Sequence, residues 1–171
     1  IGGETLRQKR FIDRLIKSLG FASNSIQKYF ASELTTEKSL SPIKESLLSL
    51  SLFSQSQLIV IYDADQLKAA VSSALTNILS KTTTSAFVVI TSSAINTKTQ
   101  WLTKINETCT LCSFSELSGS ALREWIVREV QQCGTTAGIE KDATDLLADS
   151  FGNDLSTLAQ EIAKLSLLLS S

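Results

Sequence analysis

The sequence predicts an α/β fold over residues 1–115, a mostly parallel five-stranded sheet flanked by helices, followed by a small three-helix domain over residues 116–171. Three observations carry this expectation. Short apolar runs such as Leu58-Ile59-Val60-Ile61-Tyr62 and Ala86-Phe87-Val88-Val89-Ile90 alternate with segments of helical period. Such a run bounded by polar turns suits a strand buried on both faces, as in parallel sheets. The charge is also lopsided: residues 1–115 hold 12 basic and 8 acidic side chains, residues 116–171 hold 4 and 9, and the whole chain nets −1. From Gly119 onward the pattern is helical throughout.

Residues 5–19 read as a helix, with Phe11, Ile12, Leu15, Ile16 and Leu19 on one face and Gly20 as a stop. Arg7, Arg10, Arg14 and Lys17 line another face. That stripe suits contacts to phosphate or DNA, or is an ordinary solvated face. Ahead of the helix lies Gly2-Gly3-Glu4-Thr5, following the end of a first strand. A phosphate-binding loop would place lysine where Glu4 stands, and an acid there repels phosphate. No nucleotide and no other cofactor is expected.

Residues 25–30 form the second expected strand, and residues 35–40 a polar connection. Ser41 caps the next helix with Pro42 at its first position, and Ile43, Leu47, Leu48 and Leu50 supply its apolar face. Leu52 and Phe53 follow as that helix ends, outside anything the sheet needs. The third strand, 58–62, runs into Asp63-Ala64-Asp65. Without a phosphate-binding lysine these aspartates are expected to cap a helix over 66–79 rather than to bind magnesium. A fourth strand over 86–91, a short helix over 97–106 and a fifth strand over 108–114 complete the first domain.

The fifth strand carries Cys109 and Cys112, a lone CxxC. Residues three apart on a strand face opposite ways, and Cys133 has no mate, so buried structural cysteines are expected rather than zinc. Histidine is absent, which removes the commonest general base and metal ligand. No catalytic residue and no metal ligand are expected. In the second domain, Leu122, Trp125, Ile126 and Val130 mark one helix, and Ala143, Leu146 and Leu147 mark another over 139–151. After the break at Gly152-Asn153, Asp154 caps a third carrying Leu155, Leu158, Ile162, Leu165, Leu168 and Leu169.

No apolar run approaches the roughly 20 residues that span a bilayer, and no signal peptide opens the chain. A cytoplasmic protein with no membrane partner is expected. The opening Ile1-Gly2-Gly3 and the lack of methionine suggest a piece of a longer chain.

The order leucine-rich helix, Leu52-Phe53, apolar strand and Asp63-Ala64-Asp65-Gln66-Leu67-Lys68 resembles the delta subunit family of bacterial DNA polymerase III, clamp-loader proteins of the AAA+ class. Leu122-Arg123-Glu124-Trp125-Ile126, Gly152-Asn153-Asp154-Leu155 and residues 158–165 resemble that family's lid. Ser49-Leu50-Ser51-Leu52-Phe53 resembles, at four of five positions, the Gln-Leu-Ser/Asp-Leu-Phe peptide that grips the sliding clamp, with Ser49 replacing Gln. The resemblance implies an AAA+-like domain that binds the clamp through Leu50, Ser51, Leu52 and Phe53 and favours its opening. It also implies ATPase and delta-prime-like partner subunits, primed DNA in the assembled loader, and a helical collar beyond residue 171. The chain itself would be non-catalytic within the DNA polymerase III holoenzyme, a DNA-directed DNA polymerase. Three alternatives stand beside this: Leu52 and Phe53 only close the core, the chain is a nucleotide-hydrolysing ATPase of the same fold, or it is a DNA-binding module using helix 5–19.

Overall fold

Four consecutive apolar residues, Leu58 to Ile61, are 0 % exposed and form the middle of a parallel sheet. The computed structural model describes residues 1–48, 57–81, 86–93, 109–133 and 138–169. Among them the sheet has three strands, β1 (Ile26–Phe30), β2 (Leu58–Tyr62) and β3 (Phe87–Ile90), in the order β1-β2-β3. Ile26, Leu58 and Phe87 share one rung of the parallel register, so the strands start level at one edge.

Both faces of β2 are covered, which explains why its run does not alternate. On one side Leu58 and Val60 pack with Ile12 of α1 (Thr5–Leu19), with Phe21 and Val89 beside them. On the other, Ile59 and Ile61 meet Ile43 and Leu47 of α2 (Ser41–Leu48) and Val71 and Leu75 of α3 (Ala69–Ser80). The result is a helix, sheet, helix sandwich. Gly20, at φ 67°, ends α1 in the left-handed conformation a helix stop favours.

Five strands were expected, and three are found. Among the described residues, the other two expected positions show paired backbone outside those three strands. The Ile1 ammonium donates to the Cys112 carbonyl at 2.7 Å, and the Phe114 N–H donates back to the Ile1 carbonyl at 2.6 Å. That is the exchange of one parallel rung. Gly2 N–H donates to Ser92 O at 2.9 Å, and Glu4 N–H to Phe114 O at 3.3 Å. α1 follows at Thr5. Gly2 is where this approach is tightest: a Cβ there would sit 2.1 Å from the Phe114 carbonyl oxygen, at φ +133°.

The chain divides into two compact units, Ile1–Phe114 and Ser115–Ser171. The second consists of α4 (Gly119–Gln132), α5 (Lys141–Phe151) and α6 (Leu155–Leu169). Leu122 and Ile126 of α4, Ala148 of α5, and Leu155, Leu158 and Ile162 of α6 are its buried apolar residues. As expected, Asp154 caps α6: its carboxylate accepts from Thr157 N–H at 3.0 Å and from the Thr157 hydroxyl at 2.7 Å. Those bonds hold the Asp154 carboxyl below its usual range. Arg123 and Asp145 tie α4 to α5 by an ion pair. The apolar face expected for α5 is rotated. Thr144 and Ala148 are buried, whereas Leu146 is 66 % exposed and Ala143 lies at the surface.

Candidate functional site

The expected contact residues Leu50, Ser51, Leu52 and Phe53 lie outside the described residues, but both ends of their segment are placed. α2 ends at Leu48 with Leu47 buried, and the chain resumes at Gln57, whose carbonyl accepts the Phe87 N–H at 2.8 Å. Gln57 thus precedes β2 at the edge where the parallel strands begin. In open α/β sheets ligands gather at the opposite edge, beyond the carboxyl ends of the strands. The carboxyl ends of the strands form the second edge of this sheet.

That second edge is occupied by the chain's own side chains. Glu4, 6 % exposed, precedes α1 and turns its carboxylate back onto the helix: Arg7 N–H donates to Oε2 at 2.7 Å and Leu6 N–H to Oε1 at 3.3 Å. These are the unpaired donors that make a helix N-terminus attractive to phosphate. Here an internal anion already takes two of them. Gln8 closes the turn by donating its side-chain amide to the Gly2 carbonyl.

Asp63 and Asp65 do not cap α3, contrary to expectation. α3 starts at Ala69, and its N-cap is Lys68, with no side-chain cap bond. Asp63 sits in the left-handed region at φ 57°, and its N–H donates to Thr91 Oγ1 at 3.2 Å. Asp65 reaches across to the end of β3, accepting from Ser93 N–H at 2.9 Å and the Ser93 hydroxyl at 3.0 Å. Partial burial pushes the Asp65 carboxyl up, but these bonds, with its own N–H and the Ser92 hydroxyl, outweigh burial and hold it below the usual 3.8. A carboxyl lowered on folding stabilises the protein above its ordinary pKa and loses that contribution as pH falls through the lowered value. The stability gap between wild type and Asp65→Asn should therefore be flat near neutrality and shrink below about pH 4. Urea midpoints measured across pH 2.5–7 with a gap that does not narrow in acid would contradict the Asp65–Ser93 link.

The basic stripe is not uniform. The Arg7 guanidinium lies over the Phe114 ring, 5.7 Å from its centroid, and Phe11 packs on the same ring at 5.6 Å. Arg10 is half-buried. Arg14 donates from Nε to the Arg10 carbonyl at 3.3 Å and is exposed, as is Lys17. The structure thus leaves Arg14 and Lys17 as the solvent-facing members of the four. The cysteines are not buried either: Cys109 is exposed, Cys112 and Cys133 are intermediate, and none of the three is in a disulfide. Among the described residues no group of three or more His, Cys, Asp or Glu comes together to hold a metal ion.

Residues 2–115 match the family described as DNA polymerase III, delta subunit. The chain belongs to that family. Its fold is similar to the solved Bacillus subtilis DNA clamp loader delta protein (YqeN), with a TM-score of 0.68 at 14 % identity. That match covers 98 % of this chain and 52 % of the other, so the chain spans about half the length of the solved delta protein. Comparison with curated protein sequences gives no match. Among the described residues no helix is long and apolar enough to cross a membrane.

In this delta-family chain the sequence pointed to Glu4 as an obstacle to phosphate but missed its role as a helix cap. Glutamate is not a favoured N-cap residue, and only the turn geometry reveals the two bonds. The Asp65–Ser93 link, across 28 residues, left no local signal. Replacing Glu4 with alanine should cost about 1 kcal/mol of stability, the usual magnitude for a lost N-cap. A urea midpoint unchanged by Glu4→Ala would show that the carboxylate does not hold α1.

Proposed function

We propose that this chain is the clamp-docking part of a delta subunit, and that residues 50–53 carry the contact. Leu52 and Phe53 are the anchors that fill an apolar pocket on the sliding clamp, while Leu50 and Ser51 set the approach. The observation that carries this reading is the family match over 2–115, which spans the Ser49-Leu50-Ser51-Leu52-Phe53 peptide. The described geometry supports it from a second side: Glu4 takes the helix donors that a nucleotide phosphate would need, which fits a subunit that works by binding alone.

The mechanism is differential affinity. A subunit that packs better on the sprung form of the clamp shifts the ring toward opening by as much as its affinities for the two forms differ. ATP hydrolysis then falls to partner subunits, and residues 116–171 act as a lid-like helical domain within the assembled loader. Primed DNA, the delta-prime-like subunit and the ATPase subunits are further partners of that assembly in the cytoplasm. Co-precipitation with a bacterial sliding clamp tests the reading. Specific retention of the chain is expected, and its absence at micromolar concentrations would contradict the assignment.

A further inference from the structure

Two aromatic rings meet at the carboxyl end of the sheet. Phe30 closes β1, Tyr62 closes β2, and the two are partners in the parallel register. Their rings stack, with centroids 5.1 Å apart and planes inclined by 21°. One face of Phe30 is thus covered by Tyr62, yet the residue is 46 % exposed, which leaves its other face to solvent. The backbone beneath is pinned: Ala31 N–H donates to the Tyr62 carbonyl at 3.0 Å, and Glu33 N–H to the Phe30 carbonyl at 3.0 Å. A lone exposed apolar side chain is ordinary. A stacked pair at the edge where open α/β sheets gather ligands is less so.

The charges beside the pair decide what fits on it. Glu33 brings its carboxylate to the Phe30 N–H, which donates to Oε2 at 3.5 Å. Asp63, exposed, follows Tyr62 directly. Burial pushes the Tyr62 hydroxyl above its usual 10, and Asp13 of α1 raises it further, so a third carboxylate acts on this pair. The cations Lys28 and Lys9 are set back, the first by two residues along β1 and the second by one turn of α1 from Asp13. Carboxylates so placed repel a phosphate backbone and any base that brings one. They attract a flat cation. A guanidinium is planar, stacks on aromatic faces and pairs with carboxylates, whereas an ammonium offers no plane to stack. We propose that Phe30, Tyr62 and Glu33 form a docking site for an arginine side chain presented by a protein partner. The guanidinium lies on the outer face of Phe30 and pairs with the Glu33 carboxylate. The site is separate from residues 50–53 and does not depend on the clamp-docking reading.

Titration of the full chain, with its phenylalanine and tyrosine rings followed by NMR, tests this. The probes are acetyl-Gly-Arg-Gly-amide, acetyl-Gly-Lys-Gly-amide and an oligothymidylate. The arginine peptide should shift the Phe30 and Tyr62 ring signals saturably, and the lysine peptide should bind about fivefold more weakly. Phe30→Leu removes the ring, while Glu33→Gln removes the charge and keeps an acceptor for the Phe30 N–H. The proposal stands if the arginine peptide shows that preference and at least one variant loses it. It is overturned if the two peptides bind alike, if neither moves these signals at millimolar concentration, or if both variants keep the preference. An oligothymidylate that shifts the same rings more tightly than the arginine peptide would overturn it in favour of nucleic acid.

Discussion

Leu52→Ala combined with Phe53→Ala is expected to abolish binding to the sliding clamp while leaving the melting temperature nearly unchanged. Aromatic and aliphatic anchors that fill a partner's pocket commonly cost about 2 kcal/mol or more each when truncated. Two such losses would weaken a micromolar complex by a factor on the order of 10³. Stability should survive because the proposed contact needs the pair outside the core. Ile43 and Leu47 of α2 and Leu58 to Ile61 of β2 are already 0 % exposed with their own partners. The competing reading, in which the pair closes the core, predicts the reverse pattern. Large-to-small changes in a packed core cost roughly 2–5 kcal/mol apiece. A double variant that melts far below wild type would favour that reading, and one that still binds the clamp would remove residues 52 and 53 from the contact.

The second large effect belongs to the helical unit. Leu158, 0 % exposed in α6, belongs to a small buried set with Ile126, Leu155 and Ile162. A unit of this size has little core to spare, because small domains bury a smaller share of their surface. Leu158→Ala should therefore cost about 3 kcal/mol, a cavity effect that the few neighbours cannot refill. Trp125, half-buried in α4, reports on this unit once Trp101 is replaced by phenylalanine. Urea titration of its fluorescence should show a large drop in midpoint, while clamp affinity measured under folding conditions stays at the wild-type value. An unchanged midpoint would mean that Leu158 is not part of the core, and lost clamp binding would give residues 116–171 a direct part in the contact.

How much of this was readable in advance depends on the range of the interaction. β2 was legible because burial on both faces leaves an unbroken apolar run, and the start of α6 because Asp154 announces it; of the face expected for α6, Leu155, Leu158 and Ile162 are buried, whereas Leu165 is 47 % and Leu168 74 % exposed. The strand count was not legible. Residues 1–4 and 112–114 do pair, and pattern alone does not reveal how far such pairing extends. The face of α5 was misread because Thr144 and Ala148, small and weakly apolar, are buried in place of Leu146. Packing against α4 and α6 decided that. At the carboxyl edge, the Asp65–Ser93 link joins positions 28 residues apart, and the Glu4 cap depends on a turn geometry that the residue type does not announce. Residues 50–53 were the reverse case, legible as a motif while lying outside the described structure.

The central claim is that residues 50–53 engage the pocket on the clamp that short Leu-Phe peptides occupy. The most direct measurement is displacement of a fluorescent peptide carrying residues 47–56 from a bacterial sliding clamp, followed by anisotropy as the chain is titrated in. The account predicts full displacement by the wild-type chain and none by the Leu52→Ala, Phe53→Ala variant. A wild-type chain that binds the clamp and leaves the peptide in place would contradict it.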